Sequence, residues 1–300
     1  MKILQIGMGQ NPDGLQKAFA AKGEHKYLWS GDKELNAKII AISASWKPDL
    51  IYMQVQCEGV LRNGALANAK ANGAYIVNWC GDARNPLPEW YIETGKVIDM
   101  TCFTNQRDVD TMIAMGLNAS FLQEGYDTEI FSPFGEKIDG DIVFVGSNYG
   151  DDRFPLSKER RVMVETLKAN FGNKFQVYGN RWGWGRQVDQ LEAAKIYRGA
   201  KIVINHSHFN LPRYTSNRMI FAMACGACVM THNFQDVDKD WSDYNELIVC
   251  DMRPLLINCD TYLDQINNKE RNRIAHNGYI KVKENYTFEH FVDNVIAMIP

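Results

Sequence analysis

Short apolar runs alternate with helix-length segments twice along this 300-residue chain, and that alternation leaves few folds open. In the first half the spacing predicts strands over 2–6, 27–29, 49–54, 74–78, 100–104 and 119–123, with helices over 15–22, 34–45, 64–72 and 106–115. Strands buried on both faces read as continuous apolar runs, and a helix between two of them returns the chain to start the next strand in parallel. The stretch 125–140, with Pro133 and three glycines, reads as a linker. The alternation then restarts, with strands over 141–145, 174–178, 202–204, 227–231 and 246–250. Helices are predicted over 158–170 and 190–198, from about 215–218 to Gly226, and over 261–267, 270–284 and 288–298. The expectation is an α/β chain of two Rossmann-like domains, 1–130 and 131–285, whose parallel sheets face each other across a cleft. The last segment, 286–300, is expected to pack as a helix back on the first domain.

Composition narrows the class of partner. Hydrophobic residues make up 45% and charged residues 23% of the chain, which suits a soluble globular protein with a sizeable core. A net charge of −3 gives no sign of a nucleic-acid or membrane surface. The N-terminus, MKILQIG, enters a strand without an apolar leader, and no run approaches a membrane span. Seven cysteines, an odd number scattered through apolar segments, read as reduced core residues; Cys225 and Cys228 form a C-x-x-C without a second pair at zinc spacing. A cytoplasmic protein is expected.

The segment 200–233 carries the clearest chemistry. A buried strand leads through a polar loop to a helix that starts with Ser216, Asn217 and Arg218. Unbonded N–H groups of a first helical turn favour an anion, and an arginine there adds charge, so this unit suits a phosphate or diphosphate. His206 and His208 follow the strand and are placed to meet a phosphate or a sugar hydroxyl. Gly146 ends the strand 141–145, where it lets a ligand approach the backbone, with Ser147 beside it as a hydrogen-bonding group. Of the cations that follow, Arg153, Lys158, Arg160 and Arg161, one or two are candidates for a diphosphate and the rest for a solvated helix face.

Other loops carry weaker signals. Tyr178, Gly179, Arg181, Trp182 and Trp184 share a glycine-rich loop whose indoles offer flat faces to a base or sugar. Asp82 follows the strand 74–78, as a proton acceptor for a hydroxyl or as a turn residue before Pro86. The turn holding Gly7, Gly9 and Gly14 is glycine-rich, but Pro12 and Asp13 interrupt the dinucleotide fingerprint; a tight turn lining a cleft is the reading. Asp236 and Asp238 form a D-x-D in an acidic loop, read as solvated.

Taken in order, these pieces resemble the GT-B-fold glycosyltransferases, in particular the CgeB-like branch near glycosyltransferase group 1. The second half carries the likeness: IVFVG at 142–146, VYG at 177–179, AKIVIN at 200–205, SNR at 216–218 leading to AMACGA at 222–227, and IAHNG at 274–278 leading to YTF at 286–288. The first half matches more loosely, through FLQEGYD at 121–127 and the W-x-x-D of Trp79 and Asp82. The resemblance implies a sugar nucleotide, a UDP-sugar first, bound by the second domain. Its diphosphate would lie at Ser216, Asn217 and Arg218 and its base near Tyr178 to Trp182, with the acceptor on the first domain. It implies transfer of a hexose or pentose without a metal or other cofactor. One departure stands out: the group's ribose-binding glutamate, five residues before Gly226, is here Phe221, and Arg213 stands eight residues earlier.

The sequence therefore predicts a metal-independent glycosyltransferase acting on a hydroxyl of a small molecule, glycan, protein or modified DNA base, with no membrane partner. Arg218 and Asp82 are the expected catalytic residues. The rivals are a viral-type enzyme acting on hydroxymethylated DNA, a non-catalytic nucleotide-sugar module and, on the Gly7–Gly14 turn alone, a nicotinamide-dependent oxidoreductase.

Overall fold

The computed structural model describes residues 1–9 and 14–300 and divides into two compact units, Met1–Asp127 with Phe288–Pro300, and Thr128–Thr287. The first unit contains strands β1 (Lys2–Gly7), β2 (Glu24–Trp29), β3 (Leu50–Met53), β4 (Tyr75–Cys80), β5 (Met100–Phe103) and β6 (Ala119–Phe121). Between them run helices α1 (Gly14–Ala20), α2 (Leu35–Ser45), α3 (Asn63–Ala71), α4 (Glu89–Gly95) and α5 (Gln106–Ala114). The six strands pair in parallel in the order β2-β1-β3-β4-β5-β6.

The second unit contains strands β7 (Gly140–Val145), β8 (Phe175–Tyr178), β9 (Ala200–Asn205), β10 (Cys228–Thr231) and β11 (Ile248–Val249). Its helices are α6 (Ser157–Phe171), α7 (Gln190–Gly199), α8 (Asn217–Ala224), α9 (Met252–Leu263) and α10 (Asn268–Asn285). These strands are also parallel, in the order β11-β10-β9-β7-β8. Each sheet reverses direction once, between β1 and β3 in the first and between β7 and β9 in the second. Loops leaving the carboxyl ends of strands diverge at such a switch point and open a crevice for ligands.

The final helix, α11 (Phe288–Ile296), belongs to the first unit. Phe291, Val292 and Val295 are buried in its core, and the Phe291 ring stands edge-on to Tyr52 at 5.8 Å and Trp79 at 5.6 Å. Each such side chain contributes roughly 1.5–3 kcal/mol on burial, enough to hold a nine-residue helix that would be marginal alone.

Two helices depart from the sequence reading. α4 follows Pro86 and Pro88, which read as loop punctuation, yet Pro88 occupies the helix N-cap position, where its missing N–H has no cost. α9 spans Met252–Leu263 where a helix was expected only from 261; Pro254 lies in its first turn, whose N–H groups have no intrahelical acceptor. β2 begins three residues earlier than predicted because it is an edge strand with an exposed, polar pattern.

Candidate functional site

Three loops are tied together at the switch point of the second sheet. The Gly146 N–H donates to the Tyr178 carbonyl at 2.7 Å, Asn148 N–H to the Asn180 carbonyl at 2.9 Å, and Asn180 N–H to Ser147 Oγ at 3.1 Å. The loop after β9 joins them, as Leu156 N–H donates to the His208 carbonyl at 2.9 Å and Ser157 Oγ lies 3.2 Å from His208 Nδ1. Gly179 has φ +140°, and a Cβ there would overlap the Gly146 carbonyl. Gly179 is thus needed where two backbones meet, and this packing accounts for it without a ligand.

The loops enclose positive charge that the chain does not neutralise. Arg160, in the second turn of α6, is 1% exposed, with its guanidinium 4.9 Å from the centre of the Phe144 ring. Its Nε and Nη2 have no hydrogen-bond partner, and a Cβ on Gly146 would overlap Nη2. Burial, and then the nearby charge of Arg218, push Arg160 well below arginine's usual range. Arg218 lies half-buried in the first turn of α8 and, among the described residues, makes no hydrogen bond or ion pair. Ser216, buried at the N-cap, makes no side-chain capping bond to that turn; the Met219 N–H donates to the Ser216 carbonyl at 3.0 Å, which leaves those of Asn217 and Arg218 open. Asn217 begins the helix beside Arg218. The result is two arginines and a helix N-terminus at one switch point, with no carboxylate among the described residues paired to either arginine.

The histidines near this cluster are neutral. His206 is 8% exposed, stacked on His232 at 4.4 Å, and burial lowers its pKa to about 4. Its Nδ1 donates to the Ser207 carbonyl at 2.8 Å, which leaves Nε2 as an acceptor. An acceptor nitrogen suits a sugar hydroxyl and repels a phosphate oxygen. Of the two roles expected of His206, only the first fits this tautomer. His208 is lowered to about 3, first by burial and then by Arg160 and Arg218.

The aromatic loop after β8 divides in two. Trp182 is 5% exposed, packs edge-on to Phe144 at 6.1 Å and donates Nε1–H to the Gly146 carbonyl at 2.6 Å. This corrects the expectation of an indole offering a face to a base: Trp182 is a core residue that anchors the loop. Trp184 is exposed, as is Arg181, whose backbone is left-handed at φ 63°. Tyr178 is half-buried, with its hydroxyl donating to Gln176 Oε1 at 2.9 Å and Arg186 over its ring.

In the first unit, a Cβ on Gly7 would overlap the Tyr27 ring, the Tyr27 hydroxyl donates to the Gly9 carbonyl, and Trp29 Nε1–H donates to the Met8 carbonyl at 3.0 Å. The Tyr27 ring therefore fills the space that would let a ligand approach Gly7, against the cofactor-binding role expected of it, while Gly9 is exposed. Pro12 and Asp13 of the same turn lie outside the described residues. Asp82 follows β4 with its side chain 63% exposed, 3.2 Å from Arg84. The first unit also holds a pocket of about 440 Å³ beyond β3 and β4, lined by Glu58, Glu89, Glu93 and Trp90 among others.

The remaining motifs take ordinary places. Asp236 pairs with Lys239 at 3.0 Å and Asp238 is exposed. Among the described residues no three His, Cys, Asp or Glu side chains group as metal ligands. Cys225 and Cys228 are buried free thiols pushed up to about 12 by burial; Cys57 is exposed, against the expectation of an all-core set. Phe221 stacks on buried Phe131, 4.2 Å between ring centres, and Arg213 pairs with Asp240 at 2.7 Å.

The sequence reading named Arg160 only among four candidate cations; what it could not see was burial. The available signal was its position in the second turn of α6, on the face carrying Val164 and Leu167, which are buried with it.

Residues 158–297 match the model of the glycosyl transferase-like family. That stretch holds Arg160, His206, Ser216 and Arg218. Solved structures extend the likeness over the whole chain. HepE of Anabaena, in complex with UDP-glucose, has a TM-score of 0.66 at 12% identity, covering 100% of this chain and 99% of its own. A glycosyltransferase of Rickettsia africae has a TM-score of 0.67 at 13% identity, covering 99% and 97%. Sucrose-phosphate synthase of Thermosynechococcus elongatus has a TM-score of 0.61 at 12% identity, covering 99% and 98%. The chain has the GT-B fold of these glycosyltransferases. No curated protein matches it by sequence. No helix among the described residues is long and apolar enough to cross a membrane.

Proposed function

We propose that this GT-B chain is a glycosyltransferase that moves a sugar from a nucleoside diphosphate, a UDP-sugar in the first instance, to a hydroxyl acceptor without a metal. The observation that carries the reading is Arg218, unpaired in the first turn of an uncapped helix at the switch point of a glycosyl transferase-like unit. The UDP-glucose bound by HepE supports the choice of donor. When the bond from the sugar carbon to the diphosphate oxygen breaks, negative charge grows on the leaving diphosphate. Arg218, the N–H groups of Asn217 and Arg218, and Ser216 would stabilise it there, a role fixed cations and helix dipoles perform without a metal. His206 Nε2 would accept from a sugar hydroxyl. Gly146 and Ser147 would shape the floor of the site, and Tyr178, Arg181 and Trp184 its base end.

Asp82 is proposed as the group that takes the acceptor's proton; its exposed carboxylate suits an acceptor arriving from solvent. The acidic lining of the first-unit pocket favours a neutral or cationic acceptor over DNA, whose phosphates Glu58, Glu89 and Glu93 would repel. The test is release of UDP from UDP-glucose, with and without a panel of hydroxyl acceptors, for the intact chain and for Asp82→Asn. The proposal expects acceptor-dependent release, and loss of about 10²–10⁴ in the variant with UDP affinity unchanged. Intact UDP binding without turnover of any nucleotide sugar would instead establish a binding module.

A further inference from the structure

We infer that Arg160 is the inner cation of the anion site whose outer part is Arg218 and the start of α8, and that the bound diphosphate is its missing counter-charge. The inference rests on the nucleotide-sugar reading of this site. Three observations carry it. The guanidinium is 1% exposed, with Nε and Nη2 unpaired, whereas buried arginines ordinarily meet carboxylates or carbonyls. Nη2 occupies the volume a Cβ would take at Gly146, so the charge sits directly against the loop at the switch point. Arg218, equally unpaired among the described residues, is close enough to disfavour its charge, so two cations converge on one site.

An unpaired buried charge is destabilising, and a second charge beside it makes this worse. The cation–π contact with Phe144 offsets only part of that. Such an arrangement is stable only if something else supplies the anion, and a diphosphate spans two cations where a single carboxylate meets one. The histidines that feel the charge of Arg160, His206, His208 and His232, are held neutral by burial and supply no counter-charge. Arg160 is therefore a binding residue whose cost falls on the ligand-free protein.

This gives a signature that a merely structural arginine would not have. In the intact chain, Arg160→Met is expected to raise the melting temperature without ligand by about 2–4 °C, since an apolar side chain replaces an unpaired buried charge. The same change should weaken UDP binding at least about tenfold while uridine affinity stays within about twofold, so the preference for UDP over uridine collapses. Arg160→Gln, which keeps most of the length without the charge, should lose the same preference and serves if the Met variant does not fold. Calorimetric titrations of UDP and uridine into the intact chain, both variants and Arg218→Ala read this out. Wild-type preference for UDP in either Arg160 variant overturns the inference. If Arg218→Ala loses UDP while the Arg160 variants do not, the site reading stands and only the role of Arg160 falls. Absence of UDP binding in the intact chain ends both.

Discussion

At the β1–β3 switch point, the turn after the first strand is packed by the chain's own rings, Tyr27 and Trp29. At the β7–β9 switch point, the loops enclose charges that the chain leaves unpaired. The two sheets share a strand order, so topology alone would grant each a ligand crevice. The difference lies in how the glycines are used. Gly7 makes room for a phenol of the neighbouring strand, whereas Gly146 makes room for a guanidinium. A glycine at a strand end therefore marks close approach, and only the identity of the approaching group tells packing from binding.

The comparison is broken most forcefully at Trp182. If its indole is the core anchor of the charged loops, Trp182→Ala should cost about 3–5 kcal/mol in urea unfolding, and Trp184→Ala less than about 0.5 kcal/mol. Similar small losses for both would return Trp182 to the surface. The glycines come next. Gly7→Ala and Gly146→Ala should each cost about 1–3 kcal/mol through overpacking. Only Gly146→Ala, which pushes Arg160 aside, should weaken UDP binding; an equal effect of Gly7→Ala on UDP would erase the contrast between the two turns.

The smallest effect is a pH dependence weighted to the charged side, where burial lowers His206, His208 and His232, against His25 in the first unit. His206 titrates near 4 in the folded protein and near 6.5 unfolded, so its depressed pKa adds stability that is full above about pH 6.5. As pH falls from 6.5 toward 4 the unfolded chain takes up the proton first, and stability drops by at most about 1.4 kcal/mol per pH unit for this residue. His206→Phe should reduce the slope of urea midpoints between pH 7.5 and 5 by this residue's share, the rest being carried by His208, His232 and His25; an unchanged slope would place the effect elsewhere.

Much of the architecture was legible because it is written in period and punctuation. The apolar runs ending at Ile6, Val145 and Ile204 are strands, and Gly226 ends α8 with φ +82° as a helix-closing glycine should. The helices that escaped, α4 and α9, carry a proline at the N-cap or in the first turn, where it reads as a break in sequence although a helix start accepts it. Arg218 was legible as well, because a helix start and a cation stood together in the sequence. Trp182 and Arg160 were not, for one reason seen from two sides. Burial is a tertiary property, and residue type misleads when an indole in a glycine-rich loop turns inward and a charge on a helix turns with it. His206 follows strand β9 as the sequence predicts, but which group it can meet depends on a tautomer set by the Ser207 carbonyl, which only the folded backbone supplies.

The central claim is that the second unit grips phosphate through Arg218 and its surroundings, and its most direct test is calorimetric titration of UDP against uridine into the intact chain and Arg218→Ala. The account predicts that the intact chain binds UDP at least about tenfold more tightly than uridine and that Arg218→Ala loses most of that difference. Equal affinity for UDP and uridine, or a UDP affinity untouched by Arg218→Ala, would contradict it.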